Sequence, residues 1–352
     1  MLWKTFHGLD SNYTQVLVNT FMTSTNVSGF KGDRNHLLVM NSTNSNNMED
    51  FTLVKVLSIL YLVILALGII AGNTVVILAV GKFHFLQQFR HILLVSLSVA
   101  DLLQGTVTIP LYITCVLVPT LFYNETLCYL ALLSCLMVVT ASVLNLTVVT
   151  FDHYLAICYP FWHHRIISLK PHLPPVVIAV VWTISLLTTA LSYFAMNSGF
   201  DECIYYKVFD KTFLLLSVIV GALVTCTCLA YFHLRIFLIS RALDMKHHHQ
   251  TQTFLSSGNR RRRSSTLRIQ TTKTIIIVFS CFLLAWLPFS ILILVFIFCE
   301  ACEPGYAMDV VLYLAFTNSV LNPIIYALSH SSFKTAFQKL FRISPDLASD
   351  SC

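Results

Sequence analysis

Charge is what this sequence has least of. Asp, Glu, Lys and Arg make up 11% of its 352 residues, against about a quarter in ordinary soluble domains. With 56% hydrophobic residues and 26 Phe beside that deficit, a water-soluble globular protein is excluded. Other absences narrow the class further. No compact apolar run with a small-residue cleavage site stands near Met1, so the first hydrophobic segment is expected to act as an uncleaved targeting signal. No two pairs of metal-ligating residues sit at matching depth, which argues against structural zinc. The apolar runs lack strict alternation and are about twice as long as a membrane strand requires, which favours helices over a barrel. They do not form two related halves with paired broken helices, which argues against a transporter. No nucleophile and base share one depth, so an enzyme is not expected. The net charge of +6 resides in Lys and Arg placed between apolar runs, which excludes nucleic acid as a partner.

What is present is a series of apolar runs at about 53–80, 91–118, 127–157, 173–196, 211–239, 272–298 and 306–328, each long enough to span a bilayer as a helix. The expected fold class is an all-α membrane protein, a seven-transmembrane helix bundle. The polar stretch 1–50 reads as an amino-terminal tail with glycosylation sequons at Asn12, Asn26 and Asn41, which places it in the lumen and then outside the cell. Residues 51–330 form the membrane domain, with a third cytoplasmic loop at about 241–270. Residues 331–352 follow as an amphipathic helix and short tail: Phe333, Phe337 and Phe341 recur every four residues, with Lys334, Lys339 and Arg342 elsewhere on the wheel, the pattern of a helix lying on the inner leaflet.

Orientation follows from the basic residues. Lys82 and Arg90, Arg165 and Lys170, and Arg241, Lys246 and Arg260 to Arg263 lie in alternate connections, and Lys334, Lys339 and Arg342 lie in the tail. These segments are cytoplasmic by the positive-inside rule, so the amino terminus is outside and the carboxyl terminus inside a plasma membrane. The opposite connections carry Glu125, Asp201, Glu202, Glu300, Glu303 and Asp309. Of eleven cysteines, Cys128, Cys203, Cys299 and Cys302 fall on the oxidising side. Cys128 with Cys203 would tie the third span to the second outer loop. Cys299 and Cys302 either close a small loop, remain thiols or pair differently.

The third run has chemistry at both ends. Cys128 to Asp152 covers ~36 Å of helix, enough to connect the two faces of a bilayer. Cys135, Val139 and Ser142 share one face of it. In the second run, Asp101 is a carboxylate deep in a span, an expensive placement that marks a paired or functional group, or a neutral acid hydrogen-bonded in the core.

These residues together resemble one family, the rhodopsin-like (class A) G-protein-coupled receptors, over about residues 50–342. The matching positions are Gly72-Asn73, Leu97-Ser98-Val99-Ala100-Asp101-Leu102, Cys128, Asp152-His153-Tyr154, Trp182, Cys203, Tyr231, Phe282 to Phe289 with Trp286 and Pro288, and Asn318 to Tyr326 with Asn322-Pro323. The resemblance implies an extracellular ligand, a heterotrimeric G protein, and arrestin and a receptor kinase as partners. It implies a polar network of Asp101, Ser142, Asn73, Asn318 and Asn322 able to hold an allosteric sodium ion, hard cations favouring oxygen ligands, and no other cofactor. It also implies that the kink at Pro288, with Trp286 and Phe282, swings the inner end of span six outward, while Pro323 and Tyr326 repack and Tyr231 meets them from span five.

The departures from the family pattern are specific. His153 stands where Arg is usual, so the permanent cation is missing. No carboxylate lies between Ser264 and Thr274 to act as its latch partner. Either His153 works by titratable or neutral hydrogen bonding, or the chain is a non-coupling scavenger or heterodimer partner. Leu223 replaces a common proline in span five, which puts its bulge in question. Cys135 stands where amine receptors carry an aspartate and Phe316 where visual pigments carry a lysine, so neither class is expected. The cavity residues implied are Tyr112, Cys135, Val139, Leu215, Ile219, Phe289, Ile293, Leu312 and Phe316, an apolar and aromatic set suited to a lipophilic or neutral ligand. The acidic rim at Asp201, Glu202, Glu300 and Glu303 suits a basic peptide equally, or simply keeps the outer surface solvated. Arg260 to Arg263 followed by Ser264 and Ser265 reads as a topogenic run and as a kinase site.

Overall fold

The computed structural model of the chain describes residues 34–118, 124–168, 170, 172–200, 203–251, 258–299, 302, 305–329 and 331–341. It divides into two compact units, Met1–Leu57 and Ser58–Cys352. The described part of the first unit is helical from Arg34, within the helix Arg34–Lys82. Asn12 and Asn26 lie outside the described residues, and Asn41 is described in its helical backbone alone. Asp201, Glu202, Glu300 and Glu303 also lie outside.

Among the described residues, seven helical segments are long and apolar enough to cross a membrane: span one Leu53–Lys82, span two Phe89–Leu117, span three Glu125–Cys158, span four Leu173–Tyr193, span five Lys211–Ile239, span six Ser280–Phe298 and span seven Tyr306–Leu328. Local chemistry fixes several of their starts. The Asn124 side chain accepts the Leu127 N–H at 3.0 Å, and the Asp210 side chain accepts the Phe213 N–H at 2.8 Å, each satisfying a donor that the helix leaves open. Pro174 sits in the first turn of span four, where its missing N–H has no intrahelical partner to lose.

The burial pattern is that of a bundle in lipid. Large apolar side chains such as Leu67, Leu187 and Leu284 point outward at 62%, 58% and 72% exposure, while Asn73, Asp101, Asn145 and Asn322 are buried between helices. Spans pack closely where small residues allow it. A Cβ added at Gly72 would stand 2.8 Å from Cγ of Pro323 in span seven, so this glycine sets how near spans one and seven approach. Trp182 of span four donates its indole N–H to the Ser96 hydroxyl of span two at 3.1 Å.

Two spans contain a wide π turn, at Gln104–Thr108 in span two and at Ser217–Val224 in span five. The bulge in span five is therefore present with Leu223 in place of proline. Among the described residues the one β element is an isolated antiparallel bridge between Met196 and Phe209. Helix continues into the 241–270 region from both sides, as Thr225–Thr251 and Gly258–Phe298, and Ser264 and Ser265 fall in the latter with their side chains outside the description.

A ten-residue helix, Ser331–Leu340, follows span seven. Its Phe333 is fully buried, with its ring 5.6 Å from Tyr326 and 5.4 Å from His91. That aromatic packs on protein, which departs from the membrane-facing role the four-residue repeat suggested; Phe341 is 58% exposed.

Candidate functional site

Both disulfides form, Cys128–Cys203 and Cys299–Cys302. They mark one end of the bundle, called here the disulfide end. The chain between span four and span five folds back over this end. Asn197 donates its N–H to the Val208 carbonyl and Asp210 to that of Ala195, and Gly199, at φ +72°, donates its N–H to a Glu125 carboxylate oxygen at 2.9 Å. Cys203 and this ladder set Tyr205 against the bundle, its ring 5.6 Å from Phe289. Burial pushes the Tyr205 phenol up to about 12, against the Ser217 hydroxyl, which favours ionisation. The phenol is therefore a neutral donor at physiological pH, and its contact with Ser217 at 3.5 Å is at the far edge of a hydrogen bond.

From Tyr205 the aromatic packing runs down span six. Phe289 meets Trp286 edge to face at 6.0 Å, and Trp286 meets Phe282 at 6.3 Å. Pro288 lies inside this helix. It leaves the Leu284 carbonyl without its usual donor, while Ser290 donates its hydroxyl to the Trp286 carbonyl at 3.1 Å. Ile293 is fully buried in the same cluster. On span five, Leu214 and Val218 carry the buried face; Leu215 is half-buried and Ile219 is 38% exposed, with the π turn starting between them at Ser217.

On the opposite wall Tyr112, Cys135, Leu312, Tyr313 and Phe316 share one cluster with Leu62, Leu65 and Ile69. Tyr112 donates its hydroxyl to Asp309 in the first turn of span seven. Its ring stands edge to face with Tyr313 at 6.0 Å and Phe316 at 6.3 Å. Val139 is half-buried one turn below Cys135.

In the middle lies a polar layer. Asn322 donates to Asp101 Oδ2 at 3.0 Å, Asn73 donates to the carbonyls of Ile69 and Ser319 at 3.0 and 3.2 Å, and Ser319 donates to Gln104 Oε1 at 3.1 Å. Gln104 in turn donates to the Phe316 carbonyl at 3.1 Å, which joins this layer to the aromatic wall. Asp101 Oδ1, Asn73 Oδ1, Ser142 Oγ and Asn318 Oδ1 are buried and have no hydrogen-bond partner among the described residues. Unmatched oxygens of that kind suit water or a hard cation.

At the far end Asp152 is 2% exposed and accepts from two cation-capable groups, Arg90 Nε at 3.0 Å and His163 Nε2 at 2.9 Å. His153 is buried at 3% beside it in sequence. Tyr154 packs on Phe232 at 5.2 Å, and Phe232 on Tyr231 at 5.8 Å. Tyr231 is 52% exposed, whereas Tyr326 is buried at 3% against Phe333; the expected meeting of Tyr231 with the end of span seven is not what this conformation presents.

Sequence reasoning missed Arg90 and His163 as partners of Asp152. Arg90 reads from the sequence as a topogenic charge, and its 62-residue separation from Asp152 gives no local signal. His163 lies eleven residues on from Asp152 as the last residue of the short helix Pro160–His163, and Pro160 as a helix start was the available hint. Asp309, Tyr313, Gln104, Ser319 and Tyr205 were likewise not recognised as parts of the site.

The family model for the 7 transmembrane receptor (rhodopsin family) matches residues 72–326. The guinea-pig (Cavia porcellus) histamine H2 receptor is 30% identical over 86% of this chain and 84% of its own length. The trace amine-associated receptor 13c of Danio rerio is 26% identical over 75% of this chain and 80% of its own. The D(1)-like dopamine receptor of Takifugu rubripes is 27% identical over 82% and 70%. These relatives are receptors and not enzymes. The chain belongs to the rhodopsin family of seven-transmembrane receptors.

Proposed function

We propose that the chain is a plasma-membrane receptor that takes a ligand from outside the cell and opens its inner end to a heterotrimeric G protein. The disulfide end and amino terminus face outward and the Asp152 end and carboxyl terminus inward, which the distribution of Lys and Arg supports. The ligand seats a lipophilic or aromatic body between Phe289 and Phe316, with Tyr205 above it. The observation that carries this reading is the unbroken aromatic series Tyr205, Phe289, Trp286, Phe282, which leads from the disulfide-tethered loop to the proline-broken segment of span six. A ligand that displaces one ring of a close-packed series must move the next, because packed interiors switch between arrangements and do not deform smoothly.

The swing of span six then uncovers Asp152, His153 and Tyr154. His153 serves there as a buried hydrogen-bonding group, with Arg90 supplying the permanent cation next to Asp152. Arrestin and a receptor kinase would follow, with Ser264 and Ser265 behind the Arg260 to Arg263 run as substrate residues. Asp101, Ser142, Asn73 and Asn318 fit a sodium ion, since their unmatched oxygens are the ligands such an ion prefers. The ion would neutralise the buried carboxylate and hold the resting packing.

The test is recruitment of a panel of G proteins in cells expressing the native chain and Trp286→Ala at matched surface level. Recruitment by the native chain that falls several-fold in the variant supports the relay. Equal recruitment by both removes the aromatic series from the mechanism.

A further inference from the structure

Cys135 cannot serve as counter-ion to a cationic ligand, yet the same cluster contains a carboxylate. Asp309 is half-buried in the first turn of span seven. Its side chain reaches across to Tyr112 of span two, so it is not spent on capping its own helix. Among the described residues no Lys or Arg is paired with it, and the two ion pairs found both involve Asp152. The two other described carboxylates near the disulfide end differ: Glu125 and Asp210 each accept a backbone N–H. Asp309 is thus a carboxylate answered by a neutral phenol in a setting made of rings. Tyr112 is ringed by Tyr313 and Phe316 at 6.0 and 6.3 Å, and Tyr61 stands 6.1 Å from Tyr313.

A carboxylate partly withdrawn from water is costly unless a cation meets it, and ring faces attract organic ammonium ions with little cost in solvation. Position also matters. The π turn at Gln104–Thr108 lies just before Tyr112 in span two; the extra residue turns the remainder of that span, and this is the segment whose hydroxyl meets Asp309. Cys135 packs within the same cluster, so a ligand body lying over Cys135 has its polar end within reach of span seven.

We propose that Asp309, with the rings of Tyr112, Tyr313 and Phe316, is the binding site for the ammonium group of a small organic amine, whose apolar body occupies the aromatic depth beside Cys135. The proposal rests on the reading that an outside ligand enters at the disulfide end, and it adds the charged half of that ligand. The counter-ion has in effect moved from the third span to the seventh.

The experiment is thermal unfolding of the purified full-length receptor in detergent with 2-phenylethylamine and tryptamine, each beside its uncharged alcohol, 2-phenylethanol and tryptophol. A ligand that binds the folded state raises Tm. At least one amine is expected to raise Tm while its alcohol does not. The half-maximal amine concentration should rise roughly 100-fold in Asp309→Asn, as for loss of a hydrogen bond to a charged partner. Asp309→Glu keeps the charge and should retain the shift, which separates loss of charge from loss of fold. Equal shifts by amine and alcohol, no shift by either amine, or an amine shift that survives Asp309→Asn overturns the proposal. None of these results touches G-protein recruitment, so the receptor reading stands or falls separately.

Discussion

Asp152 accepts from Arg90 and His163 on two sides while only 2% exposed. In this chain, therefore, the carboxylate next to His153 is held by groups from the start of span two and from the short helix Pro160–His163. Arg90 is 21% exposed at its side chain, so its pairing is weaker than a fully buried one, yet removing it leaves a buried charge with one partner fewer. Arg90→Ala should lower the receptor's Tm by several degrees and raise ligand-independent G-protein recruitment; unchanged recruitment would mean that the clamp does not hold the resting state. Tyr205 offers a second test at this scale. Its hydroxyl bond to Ser217 is long while its ring packs on Phe289, so Tyr205→Phe should alter stability by less than ~0.5 kcal/mol. Tyr205→Ala, which opens a gap over the aromatic series, should cost about 3 kcal/mol, read as a loss of Tm.

Among the elements, span seven depends on how closely span one approaches it. Gly72→Ala puts a methyl 2.8 Å from the Pro323 ring, and two backbones must shift to make room. A cost of about 1–3 kcal/mol is expected, while Gly81→Ala, with open space around it, should be neutral or slightly stabilising. Span six depends on Pro288, and Pro288→Ala would restore the bond to the Leu284 carbonyl and stiffen the segment. Higher Tm with less ligand-stimulated recruitment is the expected pair of changes. The polar layer links spans one, two and seven by hydrogen bonds. Sodium chloride should stabilise the receptor more than choline chloride does, and the difference should vanish in Asp101→Asn if the unmatched oxygens ligate the ion.

Across the whole molecule, what could be read from the sequence was what the membrane and the covalent chemistry impose. Seven apolar runs emerge because a bilayer demands about twenty apolar residues per helix. Cys128 and Cys203 were legible because only cysteines on one face are candidates for pairing, and Asp101 because a carboxylate in a span is conspicuous. What escaped were contacts made by packing between distant elements. Tyr112 and Asp309 are 197 residues apart, and Arg90 and Asp152 are 62 apart, and no periodicity encodes such meetings. The span-five bulge shows the opposite failure. The π turn at Ser217–Val224 forms with Leu223 where the family pattern has proline, so that proline is not necessary for the bulge here.

On the proposed function, a receptor with histidine at position 153 still signals, with Arg90 and His163 holding Asp152 in the resting state in place of an arginine at 153. The most direct measurement is basal recruitment of a G-protein panel in cells expressing the native chain and His153→Arg at equal surface level. Recruitment of at least one G protein by the native chain is expected, changed by no more than several-fold in the variant. A silent native chain beside a recruiting His153→Arg would contradict it, and would mark this molecule as a seven-helix receptor that binds without coupling.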